Sequence, residues 1–109
     1  MADITVDETA AITESGGVLL DIRELDEWEA GHAPDAHFIP MSSLAGRLEE
    51  LPPDQPIAVI CRSGGRSAVV TEGLLARGYD AANVAGGMQA WEAAQRPVVI
   101  DGGTPGVVI

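Results

Sequence analysis

Two short stretches, Val18-Leu19-Leu20-Asp21-Ile22 and Ile57-Ala58-Val59-Ile60, are apolar at almost every consecutive position. No other feature constrains the fold as much. A strand with one wet face alternates apolar and polar residues, whereas a strand covered on both faces reads as a continuous apolar run. Both stretches therefore read as central strands of a parallel sheet. Strand-like and helix-like patches alternate around them at short intervals, without repeats or a low-complexity linker, which is the pattern of an α/β domain.

The remaining elements follow from local chemistry. Ile4-Thr5-Val6 is expected as an edge strand, with Asp7 as N-cap of a short helix to about Glu14 and Gly16-Gly17 as the turn into the first central strand. Glu24 to Ala30 reads as a short helix that presents Leu25 and Trp28 on one face and ends at Gly31. His37-Phe38-Ile39 is a short strand stopped by Pro40. Ser42 or Ser43 is expected to cap a helix carrying Leu44, Leu48 and Leu51, which Pro52-Pro53 ends. Ser67 to Arg77 reads as a helix with Val70 and Leu74 facing the core and Gly78 as C-cap, followed by a last short strand, Ala82-Asn83-Val84. Gly86-Gly87 then turns into a final helix, Met88 to Ala94, that carries Trp91. The tail, residues 101–109, is glycine-rich with the apolar end Val107-Val108-Ile109, and the sequence assigns it no place.

Length and charge narrow the function classes. A chain of 109 residues fits one domain, here residues 1–100 plus the tail, and is long enough for a core without disulfides. Its single cysteine can form no internal bridge, and no N-terminal stretch has the basic start and apolar run of a signal peptide, so a reducing cytoplasm is the expected location. The apolar runs are too short to span a membrane. A formal charge of -11 argues against nucleic acid and anionic lipid as partners, since phosphate binding depends on clustered basic residues. All six basic residues are arginines, and two of them sit in one seven-residue loop.

That loop is Cys61-Arg62-Ser63-Gly64-Gly65-Arg66-Ser67. It joins the second central strand directly to a helix-like segment. Free backbone N–H groups, the positive end of a helix dipole and guanidinium side chains all favour negative charge at one point, and each lowers a thiol pKa from its reference of about 8.5. Cys61 therefore reads as a nucleophile in an anion-binding cradle. N–H groups from Arg62 to Ser67 can converge on its sulfur, and Gly64 and Gly65 permit the positive φ angles such a nest demands. Arg66, near the end of the turn, is the candidate to hold an anionic substrate, and Arg62 the candidate to point outward and gather anions or docking partners. Ser63 and Ser67 can donate hydroxyl hydrogen bonds, with helix capping as the competing role for Ser67.

Taken together, Leu20-Asp21-Ile22-Arg23-Glu24, Trp28-Glu29-Ala30-Gly31-His32-Ala33-Pro34-Asp35-Ala36, Pro40, the Cys61 loop and Gly86-Gly87-Met88-Gln89-Ala90-Trp91 resemble a single-domain rhodanese. The blocks stand in the family's order and spacing over roughly Ile4 to Val99. The resemblance implies a small central parallel sheet flanked by helices on both faces, with the active cysteine at the C-terminal end of a central strand. It also implies sulfur transfer. A thiolate attacks the outer sulfur of a small anionic donor such as thiosulfate, sulfite leaves, and the cysteine persulfide passes its sulfur to a thiophilic acceptor such as a thiol or cyanide. A protein persulfide is a further candidate donor or acceptor. No metal and no organic cofactor is implied.

A strand-end cysteine without such a loop is ordinarily a small hydrophobe. Asp21 and Arg23 end a central strand and read as a structural ion pair that steadies the neighbouring loop, with catalysis as the alternative. His32 and His37 lack the further ligands a structural metal site needs, so His32 is expected to hydrogen-bond backbone in the Gly31 to Pro34 turn. Trp28 and Trp91 read as core, and Glu24, Asp26, Glu27 and Glu29 as a solvated helix face. Two positions depart from the family pattern. Asp35 replaces a common glycine, where a positive φ is expected and its charge can lie near the mouth, and His37 replaces an aliphatic or polar strand residue. Two rival functions remain: a non-catalytic rhodanese-like docking or redox-sensing module, and a Cys-loop phosphatase. The four residues between Cys61 and Arg66, one fewer than such phosphatases have, disfavour the latter.

Overall fold

The computed structural model describes residues 3–109. Strands β1 (Val18–Asp21), β2 (His37–Phe38), β3 (Ile57–Ile60) and β4 (Ala81–Asn83) form one sheet, all neighbours parallel, in the order β2-β1-β3-β4. The two apolar runs are adjacent at its centre, with Leu20 opposite Val59 and Asp21 opposite Ile60. Alternate side chains feed two cores. Leu20, Ile57 and Val59 pack with Val70 and Leu74 of helix α3 (Gly65–Ala76) and with Leu44 and Leu51. Leu19, Ala58 and Ile60 pack on the other face with Ile12 of helix α1 (Thr9–Glu14) and with Met88 and Trp91 of helix α4 (Gly87–Ala93). Helices therefore cover both faces, and neither central strand has a polar side. Among the described residues, no helix is long and apolar enough to cross a membrane.

Several local expectations change. Ile4 makes a single parallel bridge to Val84 rather than a strand, because Ile4 N–H and Ile4 O bond only Asn83 O and Ala85 N–H at the edge of β4. The first helix starts at Thr9. Thr5, not Asp7, organises its approach, because Thr5 N–H donates to Glu8 Oε1 and Glu8 N–H to Thr5 Oγ1, a reciprocal pair of the capping-box kind. Asp7 instead pairs with Arg96. Between Pro40 and Pro52 the expected α-helix is replaced by two 3-10 segments, Met41–Gly46 and Leu48–Glu50, broken at Arg47, with neither serine acting as a cap. Its apolar face survives the change, since i→i+3 bonds still turn Leu44 and Leu51 into the core. In helix α2 (Leu25–Ala30), Leu25 is 56% exposed rather than core, and Trp28 is half-buried between the His32 and Phe38 rings.

The tail has a definite course. A turn at residues 101–103 folds it back so that Pro105 bridges Val99, and Val99 bridges His32 on its other side. Val107 N–H then donates to Ala30 O, and the segment finishes beside the Cys61 loop, where Arg62 Nε donates to Ile109 O at 3.0 Å.

Candidate active site

Strand β3 ends at Ile60, so Cys61 stands where the chain leaves the sheet and turns into α3. The residue is buried, and three donors surround its Sγ: Gly64 N–H at 3.1 Å, Ser67 Oγ at 3.2 Å and Ser67 N–H at 3.4 Å. Burial pushes the thiol pKa up. The Ser67 hydroxyl, the Ser67 and Gly64 N–H groups and the Ser63 N–H together outweigh it, leaving the pKa below that of an ordinary cysteine. Hydrogen bonds to sulfur are therefore the main bias of Cys61 toward thiolate, and the Arg66 charge acts on it from further out.

The local backbone explains this aim and corrects three expectations. Only Gly64 has the left-handed φ, at 105°, which turns its N–H inward, whereas Gly65 is already the first residue of α3. The helix thus starts two residues earlier than its side-chain pattern suggests. Ser67 lies inside the first turn and is not a cap. Its unpaired N–H and its hydroxyl both reach the sulfur, as the free amides of a helix start can. Ser63 is exposed and contributes through its backbone.

The outside of the loop is held by groups the sequence did not single out. Cys61 O and Arg62 O accept from Met88 N–H at 2.8 Å and Gln89 N–H at 2.9 Å, so the start of α4 takes the loop's carbonyls while its amides face the sulfur. A side chain at Gly87 would overlap Cys61 O and Arg62 O, so that contact requires glycine. Asn83, buried at the end of β4, holds Oδ1 against Ser67 Oγ, whose single proton is shared between that oxygen and Cys61 Sγ, and donates through Nδ2 to Gly64 O at 3.3 Å. One amide thereby ties together the two residues whose N–H groups reach Cys61.

Charge is arranged further out. Arg66 does not stand free at the mouth: Nη1 and Nη2 bond Glu27 Oε1 and Oε2, both at 2.8 Å, from across the sequence. Glu27 Oε1 also accepts from Glu24 N–H at 3.0 Å, half of a capping box that starts α2. The expected solvated acidic face is thus interrupted, because Glu27 has an arginine to meet. Its hydrogen bonds to Arg66 hold its pKa below the usual carboxylate range, and Glu27 in turn raises that of Arg66. Asp21 and Arg23 form a second two-point pair, both fully buried, and Arg23 Nη2 also donates to Gly31 O at 2.8 Å. This joins the end of β1 to the end of α2. Arg62 is exposed and reaches the tail through Ile109 O.

The other candidates lie apart from the sulfur. His32 Nδ1 meets Trp28 O at 2.8 Å, so its backbone partner is in α2 rather than in the turn. His37 Nε2 pairs with Glu50 Oε1. Asp35 takes no positive φ and lines a groove with Thr9, Glu14 and Arg96 instead of the Cys61 mouth. Trp91 is core, and its Nε1 donates to Pro97 O.

Residues 5–94 match the rhodanese-like domain. The chain belongs to that family. A thiosulfate sulfurtransferase of Pseudomonas syringae is 32% identical over 89 residues, covering 81% of this chain and 84% of that protein. A sulfurtransferase of Allochromatium vinosum is 37% identical over 83 residues, covering 75% and 78%. Among solved structures, a rhodanese-related protein from Thermoplasma volcanium superposes with a TM-score of 0.84 at 32% identity, over 93% of this chain and all of that one.

In this rhodanese-like domain the residues missed by sequence reasoning are Glu27, Asn83 and the Met88 and Gln89 amides. Two of them left a trace. Glu27 follows Glu24 at capping-box spacing, and Asn83 is the polar residue in an otherwise apolar strand. Nothing local pointed to the amides, which act through backbone alone.

Proposed function

We propose that the protein is a sulfurtransferase that moves a sulfane sulfur from thiosulfate or a similar donor to a thiophilic acceptor through a persulfide on Cys61. The observation that carries this reading is the set of three donors converging on one buried sulfur. The Cys61 thiolate attacks the outer sulfur of the donor. A new S–S bond forms, the donor's S–S bond breaks, and sulfite leaves with its electron pair. The Gly64 and Ser67 donors that favour the thiolate then face an anionic persulfide. An acceptor nucleophile attacks the terminal sulfur, and Cys61 departs as thiolate, for which a lowered pKa is an advantage. Arg66 borders the mouth with two of its five N–H groups committed to Glu27. A reducing, cytoplasmic compartment suits this use of a free thiol.

Intact-mass spectrometry tests the nucleophile. After incubation with thiosulfate the protein gains the mass of one sulfur atom, which cyanide or a thiol removes, and Cys61→Ser gains none. A full gain in that variant would falsify the assignment. A docking or redox-sensing module would form the adduct without multiple turnovers, so steady-state thiocyanate production separates the two readings.

A further inference from the structure

The arginine nearest the cradle is already neutralised. Glu27 engages Arg66 at two points of 2.8 Å and is itself pinned by Glu24 N–H, so neither partner is free to swing away. The Glu27 side chain is only 14% exposed, which keeps the pair in place in the resting protein. The Asp21–Arg23 pair beneath is likewise neutral and fully buried. Arg62, the other loop cation, keeps its charge but is exposed and directed outward to Ile109 O, and Glu24 adds negative charge to the field at Arg66. Once Cys61 ionises, the pocket holds a thiolate, neutral N–H and O–H donors and two self-compensated pairs. A dianion entering it meets the thiolate's repulsion with no net positive charge to offset it.

We propose that Glu27 is the specificity-determining residue of the site: by cancelling Arg66 it selects sulfane-sulfur donors carrying one negative charge over dianions of the same shape. This rests on the sulfurtransferase reading and names its substrate class, singly charged thiosulfonates or persulfides. With a thiosulfonate, the Cys61 thiolate attacks the outer sulfur of R–SO2–S⁻. The S–S bond breaks with its pair going to the sulfinate R–SO2⁻, and Cys61–S–S⁻ keeps the remaining charge. No oxidant or reductant enters.

Thiosulfate and methanethiosulfonate differ by one charge at nearly equal size, so they make the test. With cyanide as acceptor, kcat/KM is measured for both donors on the full chain and on Glu27→Gln, which releases the Arg66 charge with little change of shape. Coulomb energies scale with donor charge, so a gain of about tenfold for the dianion corresponds to about threefold for the monoanion. The expected result is that pair of gains, mostly in KM. Equal changes for both donors, or a loss for both, would overturn the proposal. Wild-type protein supplies a check that needs no variant: a neutral mouth predicts that added NaCl leaves thiosulfate kcat/KM level or raises it, whereas a steep fall would reveal a net positive mouth and refute the idea. If neither donor loads sulfur onto Cys61, the sulfurtransferase reading fails and takes this inference with it. Loading by both with no charge-dependent difference sinks the inference alone.

Discussion

The inner cradle and the outer rim of the site are built on opposite principles. Around Cys61 the donors are uncharged, come from within six residues of the sulfur, and are fixed by the start of α3. At the rim the groups are charged and their partners are remote: Arg66 finds Glu27 across 39 residues, and Arg62 finds Ile109 across 47. A nearby dipole that cannot move stabilises a developing charge without reorganising, whereas rim charges set which ligands approach. In this domain the cradle is therefore the place for rate and the rim the place for selection. Damage to the two should separate in kcat and KM.

The sharpest way to break that division is to spoil the aim of the cradle without touching any charge. One glycine inserted between Gly64 and Gly65 displaces Gly64 N–H relative to Ser67, so the amides no longer converge on Sγ. A hydrogen bond to a charged atom is worth about tenfold and the insertion spoils the aim of at least two, so it should lower sulfur transfer by about a hundredfold with the circular-dichroism spectrum retained. The same experiment addresses the phosphatase alternative. Cys61-dependent hydrolysis of a phosphate ester by the unmodified protein, or full thiosulfate turnover in a folded insertion variant, would show that loop length does not define this site.

Ser67→Ala removes a smaller piece of the cradle. Burial still pushes the Cys61 pKa up, while the strongest of the hydrogen bonds that lower it is gone. The thiolate is the reactive form, so kcat/KM rises with pH through the thiol pKa and then levels. In the variant that rise should move to higher pH, with activity at neutral pH down about tenfold, the loss expected from one hydrogen bond of roughly 1.4 kcal/mol to a charged atom. A parallel drop at every pH would mean that Ser67 acts on packing alone.

The same division explains what the sequence could and could not disclose. The two central strands announced themselves because burial on both faces leaves no polar-apolar alternation, with Asp21 the one polar position in either, and the Cys61 loop because glycines and a helix start follow the strand directly. These are local effects. Where the 3-10 segments replaced a helix, the apolar spacing was legible but the hydrogen-bond type was not, since Leu44 and Leu51 reach the core under either. Glu27 looked like one more exposed acid until the fold brought Arg66 to it. Asn83 and the α4 amides escaped for the same reason, because their partners are set by β4 and α4 packing beside β3 and not by neighbours in the chain. The tail could not be placed, since the backbone bonds that hold it, to Val98, Ala30 and Ile100, carry no side-chain signature.

The smallest effect should come from Arg62, and its size tests whether the rim is separable at all. Its contacts, Nε to Ile109 O at 3.0 Å and Nη1 and Nη2 to the Gln89 side-chain oxygen at 3.3 Å, are exposed, and exposed polar contacts contribute little after competition with water. Arg62→Ala keeps the backbone whose carbonyl is held by Gln89 N–H, so the cradle stays in aim. Thiosulfate kcat/KM should change by less than about threefold, through KM, because one solvated charge at this distance from the sulfur is largely screened. The tail should report the change where the site does not. Amide hydrogen exchange is expected to speed up in residues 107–109 while Val99 and Gly103, held by the hairpin bonds to His32 and Ile100, keep their protection. If Arg62→Ala instead lowers kcat as far as Ser67→Ala does, the tail is acting through the loop on the sulfur, and cradle and rim are one mechanical unit.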